Sequence, residues 1–415
     1  MASRPTPPAA NANAPSYLGP FITVTILFGI FGFLTNLNSN LSPKLQDIFD
    51  LNRAWSNTVT TSWFLAYLVF SVPAAKVIEW VGYKRTMVYS LFVMVLGALL
   101  FIPAAHMVSF PVFLTASFVL ATGVCGLQTS ANPYVSILGP EHSAPARLTL
   151  AQAFNSLGTA VAPLVVGAYI LTDQTRLSSK AEVAHTVQGP YIAIACGLLV
   201  LGVVIMFMHL PAITATRDFR PGDESSGRSI WTYRHTVLAM VGIFLYVGLE
   251  IALAANAIRF FQSQGVVSKD RAALLASFYP LAMMIGRFAG TVIMKAVKAE
   301  KLLTLLGVAG VVLLVAGMFS SGMVAVWCLI LCGLANSIMY PTIFALGIAE
   351  LGPLTSKGSG VITIGNVGGA VMPVAFGALA DRYGYNFAFV LPIIGYIFMA
   401  YYGIWGYKPT RPAKA

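Results

Sequence analysis

The sequence predicts an all-α membrane protein with 12 transmembrane helices in two pseudo-symmetric six-helix halves. Three observations support this fold class: an apolar composition, a series of long apolar runs, and an internal repeat. Hydrophobic residues make up 57% of the 415 residues, charged residues make up 9%, and the mean hydropathy is +0.78. Membrane β-barrels need strands in which polar and apolar residues alternate, and the sequence lacks that alternation. Helices are therefore the expected spanning elements.

Twelve apolar runs can be marked along the chain, and each is about 20 residues or longer, which is enough for a helix to cross a bilayer. The longest polar break, residues 211–234, is rich in Pro, Gly, Ser and mixed charge, as is typical of a linker. It divides the runs six and six. In order, spans one to twelve cover residues 18–42, 55–79, 85–105, 110–136, 147–172, 188–210, 235–262, 270–295, 301–320, 323–350, 358–380 and 386–407. The predicted organisation is a disordered cytoplasmic tail at 1–17, an N-terminal half at 18–210, a cytoplasmic linker at 211–234, a C-terminal half at 235–407 and a cytoplasmic tail at 408–415.

An internal repeat relates the two halves. Span five contains FNSLGTAVAPLVVGA, and span eleven contains IGNVGGAVMPVAFGA. A shift of 210 residues aligns Gly158 with Gly368, and it also aligns Pro163 with Pro373. Spans four and ten match more weakly, with CGLQTSANPY against CGLANSIMYP. Because the matching spans run in the same direction, the pattern indicates the parallel repeat of the major facilitator fold, in which a ligand binds near the middle of the membrane between the halves.

The formal net charge of +11 is explained by membrane orientation rather than by nucleic acid binding. If both termini are cytoplasmic, 17 of the 25 Lys and Arg residues fall on the cytoplasmic side, as the positive-inside rule requires. The basic residues are too scattered to form a nucleic-acid surface. The first residues lack the charged start, apolar core and cleavage site of a signal peptide. We expect a bacterial inner-membrane protein with both termini in the cytoplasm.

The spans carry no motif for catalysis, ATP hydrolysis or metal binding. No Walker loop occurs, and the five histidines lie at span ends or in loops. Four cysteines lie inside spans, where small buried thiols are more common than disulfides or metal sites. They are Cys125, Cys196, Cys328 and Cys332. We therefore expect neither enzyme activity nor a cofactor.

Polar side chains inside the N-terminal spans form stripes on single helix faces. Gln128 and Asn132 are four residues apart in span four, and span one carries Asn36, Ser39 and Asn40 at spacings of three and four. Span five shows a third stripe, formed by Gln152, Asn155, Ser156 and Thr159. Amides buried in hydrocarbon are costly unless they meet partners, so these faces are expected to line a wet cavity or the bundle interior. A cavity of amides and hydroxyls suits a neutral polyhydroxylated ligand.

The C-terminal half offers fewer candidates. Glu250, in span seven, is the one acid of 14 that lies well inside a span. It is a candidate acceptor for ligand hydroxyls, a candidate proton or sodium site, or a protonated structural residue bonded to a neighbouring helix. Asn336 and Asn366 are isolated amides, for which a helix–helix hydrogen bond is the alternative to ligand binding. Gating contacts between the two states are predicted for Glu79, Lys84, Arg85, Arg147 and Arg287.

Several segments carry a family resemblance that covers nearly the whole chain. They are TNLNSNLSPKLQDIFDLN, FSVPAAKVIEWVGYKR, GLQTSANPYVSILGPE, ARLTLAQAFNSLG and NSIMYPTIFALGI. These segments resemble the fucose:proton symporter family of the major facilitator superfamily, which also includes glucose/galactose and N-acetylglucosamine transporters. The resemblance implies a sugar carrier that works by alternating access, with a functional monomer as the default for this fold. It places Asn36, Gln128, Gln152 and Asn155 in the sugar cavity.

Two positions depart from the family pattern. Family members usually carry an acid that is central to proton coupling at the position of Ser39, and the fucose transporter carries a Glu at the position of Gln128. Because both side chains are neutral here, we expect uniport or atypical cation coupling. The alternative is a proton- or sodium-coupled symporter that uses Glu250. The expected ligand is a neutral monosaccharide of the glucose, galactose and fucose class, and the possible coupling ion is H⁺ or Na⁺.

Two other functional classes remain as hypotheses. A drug or lipid exporter on the same fold needs an acidic, aromatic or laterally open apolar cavity, and the amide stripes disfavour both cavity types. A non-transporting sensor usually carries a large extra loop or a signalling domain. The sugar carrier is the preferred hypothesis, and its expected partners are a small neutral sugar and the lipid bilayer.

Overall fold

The computed structural model describes most of the chain. The described residues are 18–48, 53–107, 109–170, 180–208, 210, 229–265 and 268–409, and their side chains are described except at 37–48, 53–57, 164–170, 180–187 and 269. Three predicted regions lie wholly or partly outside the described residues. They are the N-terminal tail at 1–17, the linker over 211–228 and the C-terminal tail over 410–415.

The described part of the chain is almost entirely helical. The helices before the linker are α1 (Leu18–Ile48), α2 (Arg53–His106), α3 (Phe110–Ile137), α4 (Ala144–Ile170) and α5 (Lys180–Phe207). Those after it are α6 (Arg234–Ser263), α7 (Lys269–Ile293), α8 (Ala299–Phe319), α9 (Gly322–Asn336), α10 (Met339–Gly347), α11 (Thr355–Ile364), α12 (Gly368–Tyr383), α13 (Tyr385–Ala388) and α14 (Val390–Tyr401). A π-helical turn, Tyr402–Gly406, extends α14.

Twelve spans follow from these helices. Within the described residues, ten stretches are long and apolar enough to cross a membrane. One of them, Thr58–His106, is 49 residues long and covers the predicted spans two and three, because α2 breaks at Gly82 with φ 83° and ψ 168°. This positive φ favours glycine, since a Cβ is poorly tolerated there. Counting that stretch as two spans and adding α4, which has 27 residues, gives the predicted twelve.

Large apolar side chains cover the outside of the bundle. Val200, Leu305 and Val312 are each at least 60% exposed, and each lies more than one turn from either end of a long helix. An apolar surface of this kind is unfavourable in water but is the expected surface against lipid tails. The structure is therefore that of an integral membrane protein.

The same helix contact recurs in both halves, as the sequence repeat predicts. Gly158 of α4 packs against the backbone of α1 at Gly29, and Gly368 of α12 packs against the backbone of α6 at Phe244. A Cβ added at either glycine would overlap a carbonyl oxygen of the neighbouring helix. Because these two glycines are the pair that the sequence shift aligns, the repeat extends to two close backbone approaches between helices.

The two halves meet at one end of the bundle, which we call the closed end and define by Glu79, Glu141, Glu350 and Lys357. Glu141 Oε1 accepts a hydrogen bond of 3.1 Å from the backbone nitrogen of Glu350. Lys357 Nζ lies 3.9 Å from Glu79 Oε1, and Ser356 Oγ donates to the same oxygen at 3.3 Å. These contacts join α2 and the turn after α3 to the start of α11 and the turn before it. The charge distribution of the sequence predicts that this end is cytoplasmic.

Candidate functional site

Two of the predicted sugar-binding amides hold α1 against α4. Asn36 Nδ2 donates to the backbone oxygen of Thr159 at 3.1 Å, and Asn155 Nδ2 donates to the backbone oxygen of Phe28 at 3.1 Å. Both asparagines are half-buried. The close approach of the helices at Gly158 brings each amide within reach of the opposite backbone. The nitrogen atoms of both amides are therefore engaged between helices, while the residues themselves stay partly accessible.

Gln128 lies on α3 and faces α1 and α2. Its Oε1 accepts a hydrogen bond of 3.3 Å from the hydroxyl of Tyr67 on α2. The side chain is half-buried and borders a narrow crevice of about 10 Å³ together with Leu27, Phe28 and Phe31 of α1. A single amide beside apolar and aromatic surface can bond a hydroxyl and cover the apolar face of a sugar ring.

Asn132 is fully buried between the two halves. Its Nδ2 lies 3.4 Å from the hydroxyl of Tyr340 on α10, and its Oδ1 has no hydrogen-bond partner. Ser359 of α11 donates to the backbone oxygen of Thr129 at 2.6 Å, so a second polar contact crosses between the halves nearby. The spacing of Asn132 and Gln128 is helical as predicted, but only Gln128 remains partly accessible.

Asn366, in the C-terminal half, also interacts with the hydroxyl of Tyr340. Its Nδ2 donates to the backbone oxygen of Thr363 at 2.9 Å, within its own turn. The hydroxyl of Tyr340 also interacts with the side chains of Asn366 and Asn132. Tyr340 thus links α3, α10 and the turn before α12. Sequence analysis missed this residue, because a single tyrosine in an apolar span gives no periodic signal.

Asn336 is enclosed by tyrosines rather than by a cavity. Its Nδ2 donates to the hydroxyl of Tyr279 at 2.6 Å, and its Oδ1 accepts from the hydroxyl of Tyr396 at 2.8 Å. Tyr246 donates to its backbone oxygen at 3.1 Å. The side chain is 0% exposed. The geometry matches the helix–helix alternative to ligand binding.

Glu250 is the acid inside the C-terminal half. It lies near the middle of α6 and is half-buried. The hydroxyl of Tyr246, one turn earlier, interacts with its carboxyl group, and Arg287 of α7 is close enough to interact with it electrostatically. An acid, a phenol and a guanidinium therefore lie within electrostatic reach of one another inside the bundle.

Arg287 is buried at the contact between the two halves. The sequence analysis grouped it with charged residues at the gate, but its side chain is buried and contacts none of them. Nη1 donates to the backbone oxygen of Gln152 at 3.2 Å and to Ser156 Oγ. Nε donates to the backbone oxygen of Ser337 at 3.2 Å. The reason is helical rise: Arg287 lies six residues before the end of α7, about 9 Å along the axis.

The other predicted gating residues divide into two groups. Glu79 crosses between the halves at the closed end. Lys84 donates to the backbone oxygen of Met206 at 2.9 Å, and Arg85 is exposed. Arg147 donates to several backbone oxygens at the end of α3 and in the following turn, namely those of Val135, Ser136 and Pro140. Lys84 and Arg147 therefore make contacts within the N-terminal half and none across to the C-terminal half among these bonds.

The side chains of Ser39 and Asn40 lie outside the described residues. Within the part of the chain that the structure describes, no group of three or more His, Cys, Asp or Glu residues is placed to hold a metal ion.

Two six-helix halves that repeat one helix contact and close against each other at one end define the fold of a membrane transporter. The chain belongs to the Major Facilitator Superfamily, whose family model matches residues 23–366. It is a membrane transporter and not an enzyme. The family resemblance inferred from the sequence is confirmed.

Curated relatives cover almost the whole chain. A glucose/galactose transporter of Brucella abortus is 40% identical over 93% of each chain. A putative glucose/galactose transporter of Helicobacter pylori is 34% identical over 93% of this chain and 96% of its own. The L-fucose-proton symporter of Escherichia coli is 31% identical over 89% of this chain and 88% of its own.

Solved structures agree with these relatives. A crystal structure of the E. coli fucose:proton symporter in the outward conformation has a TM-score of 0.86 and 28% identity, and it covers 94% of this chain and 99% of its own. A proton:xylose symporter bound to a glucose derivative has a TM-score of 0.70 at 14% identity, covering 93% of this chain and 94% of its own. The latter likeness shows the fold alone. The predicted twelve-helix fold is therefore confirmed.

Proposed function

We propose that this protein carries a neutral monosaccharide of the glucose and galactose class across the bacterial inner membrane by alternating access, as a monomer with both termini in the cytoplasm. The observation that carries the proposal is the pairing of Gln128 with Tyr67 beside the apolar wall of α1. A hexose presents hydroxyls on its rim and CH groups on its faces, and this surface offers an amide, a phenol and apolar side chains to match them. The relatives that cover 93% of this chain and are named glucose/galactose transporters support the same ligand class.

The neutral character of the site supports weak, reversible binding. Each hydrogen bond between an amide and a sugar hydroxyl contributes roughly 0.5–1.5 kcal/mol net, because it replaces a bond to water. A few such bonds, reduced by the cost of immobilising the ligand, give a modest affinity, and a carrier needs this to release its cargo. Gln128, Asn36 and Asn155 are half-buried polar side chains on three helices of one half. They are the proposed recognition surface, together with Gln152 on the same face of α4.

Coupling separates two candidates. Neutral residues at Ser39 and Gln128 favour uniport, because the acids associated with the fucose carrier are missing. The position of Glu250 favours atypical coupling to H⁺ or Na⁺, since its carboxyl group lies near the middle of α6 and within electrostatic reach of Arg287. Polar, uncharged recognition side chains in the N-terminal half argue against drug or lipid export.

The test is exchange of labelled glucose in proteoliposomes that hold the full-length protein without any ion gradient. Wild type is expected to exchange glucose, and unlabelled galactose is expected to compete. Gln128→Ala is expected to raise the KM for glucose about tenfold, the equivalent of one lost hydrogen bond of about 1.4 kcal/mol. Gln262→Ala is the matched control, because Gln262 is exposed near the end of α6. Failure of the wild type to exchange glucose, galactose or fucose would contradict the proposal.

A further inference from the structure

Arg287 is a buried cation at the contact between the halves. It belongs to α7 of the C-terminal half and is 7% exposed. Nη1 donates to the backbone oxygen of Gln152 at 3.2 Å and to Ser156 Oγ, and both acceptors belong to α4 of the N-terminal half. Nε donates to the backbone oxygen of Ser337 at 3.2 Å, and Nη2 lies 3.8 Å from Met283 Sδ. All four acceptors are neutral.

No ion pair joins Arg287 to an acid among the residues that the structure describes. Glu250 of α6 is the acid whose charge acts on it. A buried guanidinium is stabilised most by a carboxylate with which it shares hydrogen bonds, and neutral acceptors compensate its lost hydration less well. Arg287 therefore has a stronger partner available within the same half than the ones it uses in this state.

The remaining titratable groups around Glu250 are hydroxyls and thiols. Tyr246 lies one turn before it on α6, Tyr279 is on α7, and Tyr340 is on α10. Beyond these lie Tyr396 of α14 and Cys332 of α9. The helices α11 and α12 also pack on α6, and their titratable residues lie at their ends, namely Lys357, Asp381, Arg382 and Tyr383. Within the described residues, Arg287 is thus the cation that faces Glu250.

Opening of the closed end must break the bonds between Arg287 and α4. Gln152 and Ser156 move with the N-terminal half, whereas Arg287 and Glu250 both move with the C-terminal half. The guanidinium then loses two acceptors while it stays in surroundings of low dielectric constant, where attraction between opposite charges is strong. An ion pair with Glu250 restores the lost interaction energy, and it requires Glu250 to be ionised.

We propose that Arg287 and Glu250 form a proton-coupling switch. With the closed end shut, Glu250 holds a proton and Arg287 donates to α4. When the closed end opens, Arg287 exchanges those bonds for an ion pair with Glu250, and the proton leaves the carboxyl group on the side that has opened. This inference rests on the proposed function, because it needs a carrier that alternates between two states.

The proton balance of the cycle is simple. One proton binds the Glu250 carboxylate from the side opposite the closed end, and the same proton is released at the closed end together with one sugar. The guanidinium keeps its charge throughout. The switch lies wholly in the C-terminal half, so it does not need acids at Ser39 or Gln128.

The experiment measures two quantities in the same proteoliposomes. The first is accumulation of labelled glucose under an imposed proton gradient, with a pH-sensitive dye trapped in the lumen. The second is exchange of glucose at equal concentrations without a gradient. Wild type is expected to accumulate glucose and to acidify the lumen when glucose is added outside. Glu250→Gln and Arg287→Gln are expected to lose accumulation at least about tenfold while exchange stays within about twofold.

Two further variants test the pair as a unit. The double variant Glu250→Gln, Arg287→Gln is expected to resemble either single variant, because both substitutions block the same step. Arg287→Lys keeps the cation and is expected to restore part of the accumulation and of the lumen acidification, which a purely structural role would not predict. Asp270→Asn and Arg271→Gln are the matched controls, since they remove an exposed acid and an exposed cation from the first turn of α7.

Each opposing outcome is distinct. Exchange without proton-driven accumulation in the wild type overturns the switch and leaves a uniporter. Accumulation that persists in Glu250→Gln overturns it too, as does accumulation driven by a sodium gradient and not by a proton gradient. If Glu250→Gln loses both exchange and accumulation, the switch is overturned, and Glu250 is a ligand-binding or structural group instead. Absence of exchange for every sugar in the wild type contradicts the proposed function rather than the switch.

Discussion

The two halves of the bundle use different polar groups to hold their helices together. In the N-terminal half, Asn36 and Asn155 each donate to a backbone oxygen of the opposite helix and remain half-buried. In the C-terminal half, Asn336 is fully buried, and its side-chain nitrogen, side-chain oxygen and backbone oxygen are each bonded to a tyrosine hydroxyl. The N-terminal half therefore keeps amides such as Gln128 accessible to a ligand, whereas the C-terminal half keeps Glu250. We infer that recognition and coupling are divided between the halves.

Equivalent positions of the repeat show the same division at the closed end. The shift of 210 residues aligns Arg147 with Lys357. Arg147 donates to the backbone oxygen of Pro140 at 2.8 Å and stabilises the end of α3 in its own half. Lys357 instead lies 3.9 Å from Glu79 in the opposite half. The repeat thus keeps the glycine contacts that build each half, while the charged contacts between halves are specific to one copy.

The largest expected effect comes from the glycine contact that the halves share. Gly158→Val and Gly368→Val each place side-chain atoms against a carbonyl oxygen, and each is expected to destabilise the protein by at least about 3 kcal/mol. The measurement is the yield of monodisperse protein by size-exclusion chromatography in detergent. Gly377→Val is the control in the same helix as Gly368, because an added Cβ there has no neighbour within 4 Å. Tolerance of one substitution and not the other would break the equivalence of the halves.

A smaller effect sharpens the contrast between the two kinds of amide. Asn336→Ala leaves buried tyrosine hydroxyls without a partner and is expected to cost about 3 kcal/mol, whereas Asn155→Ala removes one hydrogen bond and is expected to cost about 1 kcal/mol. The thermal unfolding midpoints of the purified variants give the ranking. Asn386→Ala, at an exposed asparagine, serves as the control. Equal decreases in the unfolding midpoint for Asn336→Ala and Asn155→Ala would contradict the distinction between a fully bonded, buried amide and a partly accessible one.

The smallest expected effect concerns the charged contact at the closed end. Partly exposed ion pairs contribute about 0–1 kcal/mol. Glu79→Gln is therefore expected to increase the fraction of molecules in which the closed end has opened by about two- to fivefold. Spin labels at His142→Cys and Lys298→Cys, which line opposite sides of the cleft between the halves, report the distance distribution. The exposed Cys196 is first replaced by Ser. Arg85→Gln is the control, and a distribution unchanged by Glu79→Gln would show that the contact does not gate.

Local patterns in the sequence were enough for the fold and for part of the site. Hydropathy predicted the twelve spans, and the internal repeat paired the two glycines at which the same helix contact recurs in both halves. The i, i+4 spacing also predicted the faces that carry Gln128 and Asn155. These features depend on residues close together in the chain, and the hydrophobic effect and helix geometry act on them in the same way in any bundle.

What each polar face meets was decided only by the tertiary structure. Arg287 was predicted to make gating contacts, but the sequence could not identify its partners, because Ser156 and Gln152 lie 131 and 135 residues away in the chain. Asn336 and Asn155 are both amides inside predicted spans, but Asn336 is enclosed by tyrosines of three helices, whereas Asn155 is half-buried. The sequence by itself determined which side chains point inward, because burial of apolar surface and helical periodicity are local. Packing decided which of them are satisfied by protein and which are left for a ligand, because a hydrogen bond depends on positions that distant helices take only when the bundle assembles.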